Sequence, residues 1–200
     1  MFEFISAELI IKTDMSGKPI TAKWTFEPGQ TAAVFTVCNM VATNVRGYFQ
    51  KTEGKLGFYP DSPGEPSVAM SINATDIWTR KEIRDNLFGG ANFLDIESNP
   101  EITFKADQVK MVGAHDLTFT GNLTIHGVTR KAALDVTWLG SWETHPWGKN
   151  EDKESKNRAG FVAKTTINSH DFDMNWNDTL EKGAMLTGDI VELTIDAATI

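Results

Sequence analysis

Apolar and polar residues alternate with a period of two along most of the chain. The clearest runs place apolar side chains at every second position, as in residues 33–37, 68–74, 117–125 and 132–138. Alternation of this kind gives a strand one apolar face and one solvated face. Turn sequences rich in Asp, Ser, Pro and Gly separate the runs. The pattern predicts an all-β protein, with antiparallel strands that either close into a barrel or pair into a sandwich.

One segment breaks the alternation and predicts a short helix. Thr79 is a candidate N-cap with Glu82 three residues later, which is the spacing of a capping box. Ile83 and Leu87 are spaced to form one apolar helix face, and Gly89-Gly90 ends the segment. Because a helix this short is marginal by itself in water, we expect it to pack on the sheet, for example as a plug at one end of a barrel.

Four sequence blocks in a fixed order resemble the YceI-like family. The blocks are Val-Arg-Gly-Tyr-Phe at 45–49, Arg-Asp through Pro-Glu-Ile-Thr-Phe at 84–104, Gly-Asn-Leu-Thr-Ile-His-Gly-Val-Thr-Arg at 121–130, and Arg-Ala-Gly-Phe at 158–161. The resemblance covers residues 24–200. It implies a lipocalin-like antiparallel β-barrel, for which we expect about eight strands and, from the predicted helix, one short helix at the barrel mouth. It also implies that an isoprenoid or another long apolar lipid binds inside.

Length and charge limit the classes of function. Residues 1–200 fit a single domain, since all-β barrels often reach this size. The net charge of −8 argues against nucleic-acid and anionic-membrane binding, which need basic patches. There is no apolar run long enough to span a bilayer. The first residues do not form a signal peptide, so we expect a cytoplasmic protein, or a periplasmic one whose leader was removed. Cys38 by itself forms no internal disulfide.

The side chains at the inward-facing positions of the predicted strands form the candidate ligand site. Two interpretations stay open, because a small barrel can be filled by its own side chains or can enclose an apolar pocket. Small residues at other inward-facing positions, such as Ala33, Gly47 and Ala106, leave room beside the aromatic rings and so favour a cavity. The family resemblance favours a cavity as well. The predicted ligand-binding residues are Trp24, Phe35, Val37, Asn39, Phe49, Met70, Arg84, Leu87, Phe104, Phe119, Trp138 and Phe161.

Polar candidates near the predicted mouth are few. Arg84 could meet a lipid phosphate or a quinone oxygen, or it could pair with a nearby carboxylate, whereas Asp85 has the pattern of a structural hydrogen-bonding residue. Asn39 and Asn86 stand where the resembled family often has His. A head group at these two positions would therefore be held by amide hydrogen bonds.

The chain has no pattern typical of an enzyme. It lacks Gly-x-Ser-x-Gly, a phosphate-binding Gly loop and Cys-x-x-Cys, and its four histidines have no metal-ligand spacing. We therefore expect a non-enzymatic protein that binds, transports or sequesters an isoprenoid-type lipid (polyprenyl or isoprenoid quinone class), with no catalytic cofactor. The alternatives are an enzyme acting on a small apolar substrate in the same cavity, and a structural or interaction barrel with a filled core.

Two segments depart from the family pattern. Residues 1–19 are predicted to add an N-terminal hairpin strand, and its edge could support a homodimer. Residues 141–157 hold a run of mixed charges with two tryptophans, and we expect a long charged surface loop there.

Overall fold

The computed structural model describes residues 23–27, 29–39, 43–57, 67–144, 156–174 and 187–200. Eleven strands and one α-helix form its regular structure, together with two short 3-10 helices, Ala74–Asp76 and Ser169–Phe172. The strands are β1 Lys23–Thr25, β2 Ala32–Asn39, β3 Thr43–Phe49, β4 Thr52–Gly57, β5 Ser67–Asn73, β6 Ile77–Trp78, β7 Glu101–Met111, β8 Asp116–Ile125, β9 Val128–Thr144, β10 Lys156–Asn168 and β11 Thr187–Thr199; the helix is α1, Glu82–Gly89.

All strands belong to one curled antiparallel sheet, in the order β1-β4-β5-β7-β8-β9-β10-β11-β2-β3-β6. β1 pairs with β4, and Thr25 also exchanges two backbone hydrogen bonds of 2.9 Å with Ile200, just beyond β11. The sheet therefore folds back on itself at this end, which we call the β1 end. The predicted antiparallel barrel is confirmed, with one α-helix among the described residues, where very short strands such as β6 raise the strand number from about eight to eleven.

The inward face of the sheet forms the core. Phe35, Phe49 and Phe104 are all buried there, as the alternation predicts. The Phe35 ring explains the glycine in the block at 45–49, because a Cβ added to Gly47 would lie 2.1 Å from that ring. Glycine at position 47 thus lets the ring lie directly over β3. A second block contains the two-residue turn His126-Gly127, whose φ angles of 53° and 72° match the twist of the β8–β9 hairpin.

The helix forms where it was predicted, but its orientation differs. Lys81 is the N-cap and makes no side-chain capping bond, so the predicted capping box of Thr79 and Glu82 is wrong. Ile83 is 87% exposed and Leu87 is 50% exposed, whereas Phe88 is buried, so the predicted apolar face is also wrong. The chain turns at Arg80 with a positive φ of 69°, just before the helix. We attribute the rotation to this turn and to Phe88, which fills the core better than the two aliphatic residues do.

Parts of the two departing segments lie outside the described residues. The predicted N-terminal hairpin at 1–19 does so entirely, as do residues 145–155 of the predicted charged loop. The flanks of that loop are strand rather than loop, because Lys156 pairs with Thr144 and Arg158 pairs with Trp142. A bulge at Gly160/Phe161 lets the β9–β10 ladder continue this far. Among the described residues, α1 is far too short to cross a bilayer, and no other helix qualifies.

Candidate ligand cavity

An apolar cavity of about 60 Å³ lies under α1, at the barrel end opposite β1. We call it the helix-end cavity. Strand residues and the segments after α1 and β10 contribute its walls, and every lining side chain is apolar. The lining residues are Phe35, Val37, Phe49, Ile77, Phe88, Phe93, Leu94, Ile102, Ile125, Ile167, Met174, Val191 and Leu193.

A chain of aromatic rings connects the helix to the sheet at this cavity. The Phe35 ring lies 5.6 Å from Phe49 and 5.6 Å from Phe88, and Phe88 lies 5.1 Å from Phe93. The Phe35–Phe88 and Phe88–Phe93 pairs meet edge to face, which is a favourable arrangement for aromatic side chains. Phe88 therefore holds α1 on the barrel, while the rest of the helix contributes little to the core.

A second, smaller cavity of about 20 Å³ lies further along the barrel interior and is lined in part by Met70, Phe104 and Leu134. We call it the mid-barrel cavity. Ile102 and Leu193 border both cavities and so form the constriction between them. Pockets that hold drug-sized ligands measure about 300–1,000 Å³. The interior is therefore nearly filled, and a long ligand would have to displace side chains.

The predicted ligand-binding residues on the strands are divided between the two cavities and other positions in the sheet. Phe35, Val37 and Phe49 line the helix-end cavity. Met70 and Phe104 line the mid-barrel cavity, and Phe119 is buried in the core. The pair Trp138 and Phe161 lies directly opposite across β9 and β10, and both are half-buried. Trp24 pairs with Leu56, and Asn39 pairs with Thr43 and Thr187, but their side chains are not among those described.

Leu87 and Arg84 both lie on α1, outside the lining of the helix-end cavity. Leu87 points away from the core because Phe88 takes the buried position. The guanidinium of Arg84 donates to the Thr79 hydroxyl over 2.8 Å and also to the Thr79 carbonyl, two contacts within its own segment. Asp85 accepts from the Thr79 backbone N–H over 2.7 Å and from its hydroxyl, which confirms the structural role predicted for that carboxylate.

Several cavity residues come from irregular segments that the alternation does not cover. The main ones are Phe88, Leu94 and Met174. Whether each of these side chains reaches the cavity depends on how its helix or loop packs on the sheet. Phe93 was recognisable as an apolar residue after the helix, but not as a wall of the cavity. An aromatic residue at the last turn of a lone helix is the signal that could have indicated Phe88.

The described residues offer no centre suited to a metal ion: nowhere do three His, Cys, Asp or Glu side chains cluster. His126 Nδ1 donates to the Phe172 carbonyl over 3.2 Å, and His170 Nε2 lies 3.2 Å from an Asp189 carboxylate oxygen. Both histidines thus have structural partners near the helix end. The arrangement is suited to holding an apolar molecule by contact.

Two relatives with extended similarity to this chain are UPF0312 proteins. A UPF0312 protein of Pectobacterium atrosepticum is 32% identical over 161 residues, covering 80% of this chain and 79% of that protein. A UPF0312 protein of Pseudomonas putida is 28% identical over 182 residues, covering 90% of this chain and 87% of that protein.

Solved structures show the same fold. BcnA of Burkholderia cenocepacia superposes with a TM-score of 0.68 at 17% identity, covering 86% of this chain and 98% of BcnA. A polyisoprenoid-binding domain from Saccharophagus degradans superposes with a TM-score of 0.63 at 12% identity, covering 88% of this chain and 97% of that domain. Residues 24–199 match the family model of the YceI-like domain, so this chain belongs to the YceI-like family.

Proposed function

We propose that this protein binds the hydrocarbon chain of a long apolar lipid, of the polyisoprenoid or isoprenoid quinone class, inside its barrel, and so sequesters or transports it. The helix-end cavity is the observation that carries the proposal, because all of its lining side chains are apolar. Burial of a hydrocarbon chain in such surroundings is favourable by about 0.8 kcal/mol per CH₂ group. No catalytic step is part of the proposal.

The similarity to a named binding domain supports the class of ligand. The Saccharophagus degradans domain is described as polyisoprenoid-binding, and its fold covers most of this chain. At 12% identity the shared feature is the fold, so the ligand class comes to this protein as a proposal. The wall of branched aliphatic and aromatic side chains is compatible with a methyl-branched isoprenoid chain.

The absence of charge in the lining selects among lipids. No cationic or anionic side chain is among the residues that line the helix-end cavity in the described structure. A charged group buried without a partner costs several kcal/mol, so the portion of ligand inside must be uncharged. We therefore expect polyprenols, quinone tails and hydrocarbons to enter, and a free carboxylate or phosphate to stay at the surface.

The small volume favours a second candidate, a structural barrel whose core is filled. Cavities of about 60 and 20 Å³ admit only part of a chain unless side chains move. Under the lipid-binding proposal, α1 and the rings of Phe35 and Phe88 shift to widen the interior. Under the alternative, the interior keeps its closed packing and takes up nothing.

Solvent extraction of the purified protein followed by mass spectrometry separates the two candidates. We expect a long-chain neutral lipid at close to one equivalent per chain. The extracted protein should then bind the methyl ester of cis-parinaric acid, a neutral polyene whose fluorescence rises in apolar surroundings. Failure of both measurements would establish the filled barrel.

A pair of neighbouring variants tests the site itself. Val191 lines the helix-end cavity, whereas the next residue back, Ile190, is 52% exposed on the other face of β11. Val191→Phe should fill the cavity and weaken probe binding by about tenfold, which is ~1.4 kcal/mol. The matched control Ile190→Phe should leave binding unchanged. Equal affinities in the two variants would place the ligand elsewhere.

A further inference from the structure

The sheet has an incomplete seam between β9 and β10. The ladder between these strands runs from Lys156↔Thr144 to Lys164↔Asp135 and then stops. Beyond that point β9 continues to pair with β8 as far as Val128, and β10 continues to pair with β11 as far as Asn168. Among the described strand residues, 128–134 of β9 and 165–168 of β10 therefore have no ladder partner across the seam.

A surface groove of about 690 Å³ occupies this seam. Arg130–Ala133 form one side and Lys164–Asn168 the other, and the groove extends over Glu192–Thr194 of β11. Among the residues that the structure describes, two side-chain hydrogen bonds span the seam. The Thr165 hydroxyl donates to the Ala133 carbonyl over 2.8 Å, and His126 Nδ1 donates to the Phe172 carbonyl over 3.2 Å at the helix end. We call this feature the β9–β10 groove.

The groove lies against both interior cavities. Ile167 and Leu193 border the groove and also line the helix-end cavity. Thr165 and Thr194 border the groove and also line the mid-barrel cavity. One thickness of strand therefore separates the solvent in the groove from the apolar interior, at a place where the neighbouring strand is not hydrogen-bonded to it by a ladder.

We propose that the β9–β10 groove is the passage through which the lipid chain reaches the barrel interior. The inference rests on the lipid-binding function proposed above. Parting the two strands here breaks the Thr165 and His126 hydrogen bonds but no ladder pair. Entrance beneath α1 instead requires removal of the buried Phe88 ring and of the bonds between Asp85 and Thr79.

The rim of the groove suits the polar end of a neutral lipid. Arg130, Lys131 and Lys164 stand there with Asp135, Asp171 and Glu192, so cationic and anionic groups balance. A head group left in this rim would keep its contact with water while the uncharged chain passes inward between the strands. The groove is thus a site for a neutral amphiphile that enters tail first.

A reversible cross-link tests the passage. Cys38 is the natural thiol and is exposed, so all variants carry Cys38→Ser. Ala133→Cys with Thr166→Cys places exposed thiols on opposite sides of the seam, since the β9–β10 register extrapolates to this pair. A reducible bis(methanethiosulfonate) reagent then joins the two strands. Stopped-flow fluorescence follows uptake of cis-parinaric acid methyl ester by the lipid-extracted protein.

The matched control joins the same Thr166 position to its other neighbour. Thr166 pairs with Glu192 across the complete β10–β11 ladder, and both residues are exposed. Thr166→Cys with Glu192→Cys, treated with the same reagent, therefore carries the same chemistry without closing the seam. We expect the Ala133 cross-link to slow uptake by roughly tenfold or more, the scale of a gated step, and reductant to restore it. The Glu192 cross-link should have no effect.

A second pair of variants needs no cross-link. Thr165→Val removes the hydroxyl that bridges to Ala133, and Thr165→Ser keeps it. Uptake should be several-fold faster in Thr165→Val than in Thr165→Ser, because one of the two bonds that hold the seam is absent. Equal uptake rates in these variants would overturn the passage.

The results of the cross-linking experiment distinguish failure of the proposed passage from failure of the proposed lipid binding. Rapid uptake by the Ala133–Thr166 cross-linked protein refutes the passage and leaves lipid binding intact. No uptake by the reduced protein and by unmodified Cys38→Ser protein refutes lipid binding, and the passage falls with it. Slow uptake in the Ala133 cross-link together with normal uptake in the Glu192 cross-link supports both.

Discussion

The two ends of the barrel are held together by different kinds of interaction. At the β1 end, Arg158 makes a two-point ion pair with Glu27, with N–O distances of 2.8 and 2.7 Å. Buried hydroxyls add to it, since Thr199 donates to the Ala159 carbonyl over 3.1 Å. At the helix end, the side chains that line the cavity are all apolar.

This difference indicates which end can change shape. Hydrogen bonds and ion pairs depend on geometry, and a buried polar group that loses its partner costs free energy. Apolar contacts are not directional, so Phe35, Phe88 and Met174 can repack without leaving a polar atom unsatisfied. The β1 end is therefore suited to fix the barrel, and the helix end to accommodate a hydrocarbon chain of variable length once it is inside.

Arg158→Met should have the largest effect on stability and should leave ligand binding alone. Side-chain exposures of 10% for Arg158 and 13% for Glu27 mean that the variant removes the guanidinium that faces a largely buried carboxylate. We expect the free energy of unfolding to fall by about 4 kcal/mol, measured by urea denaturation. Probe affinity should not change.

Its control is the double variant Arg158→Met with Glu27→Leu. Replacement of both charges by apolar groups should recover most of the lost stability, because a buried ion pair contributes little beyond an apolar pair of similar volume. If the double variant is as unstable as the single one, other bonds of these two residues hold the β1 end.

Phe88→Ala should affect both stability and binding, in contrast to the β1 end. The ring is buried and contacts Phe35 and Phe93, so we expect a loss of about 3 kcal/mol. Dissociation of cis-parinaric acid methyl ester should become several-fold faster, because the bound chain loses its contact with the Phe88 ring in the cavity wall.

Leu87→Ala is the matched control, one position earlier on the same helix. With half of its surface exposed, Leu87 should cost about 1 kcal/mol or less on truncation. Probe dissociation should be unchanged. A larger effect from Leu87 than from Phe88 would contradict the helix orientation described here.

Asp85→Ala should reduce stability less than Arg158→Met or Phe88→Ala does. Thr79 is 1% exposed, and the variant leaves its backbone N–H and its hydroxyl without the Asp85 carboxylate. We expect a loss of about 1–2 kcal/mol, and hydrogen exchange in α1 should accelerate. Glu82→Ala, on the exposed first turn, should change neither quantity. Unaltered exchange in Asp85→Ala would show that Phe88 alone positions the helix.

The strands were predictable because their physical cause is local. Phe35 and Val37 alternate with polar neighbours, and that alternation assigns them to the inner face without knowledge of any partner strand. The His126-Gly127 turn was likewise part of a recognisable block, since two residues with positive φ favour a glycine. The helix was locatable from its break in the alternation and from Gly89-Gly90, which coincides with its end.

The orientation of that helix was not predictable from spacing. Ile83 and Leu87 form an apolar pair at helical spacing, but the turn at Arg80 and the room beside Phe35 bring Phe88 inward instead. Any apolar face on a short helix is only a candidate until the surface that receives it is known. The Arg158–Glu27 pair was equally hidden, since 131 residues separate the two partners.

The sequence by itself determined the antiparallel sheet, the inner face of most strands, the place of helix α1 and the family. These features depend on residue order within a few positions, where period, glycine and turn chemistry act directly. Tertiary structure decided how the helix docks, how little free volume the core retains, which charges meet at the β1 end and where the β9–β10 ladder stops. Each of those depends on distances between segments far apart in the chain, and such distances are set only when the whole sheet has closed.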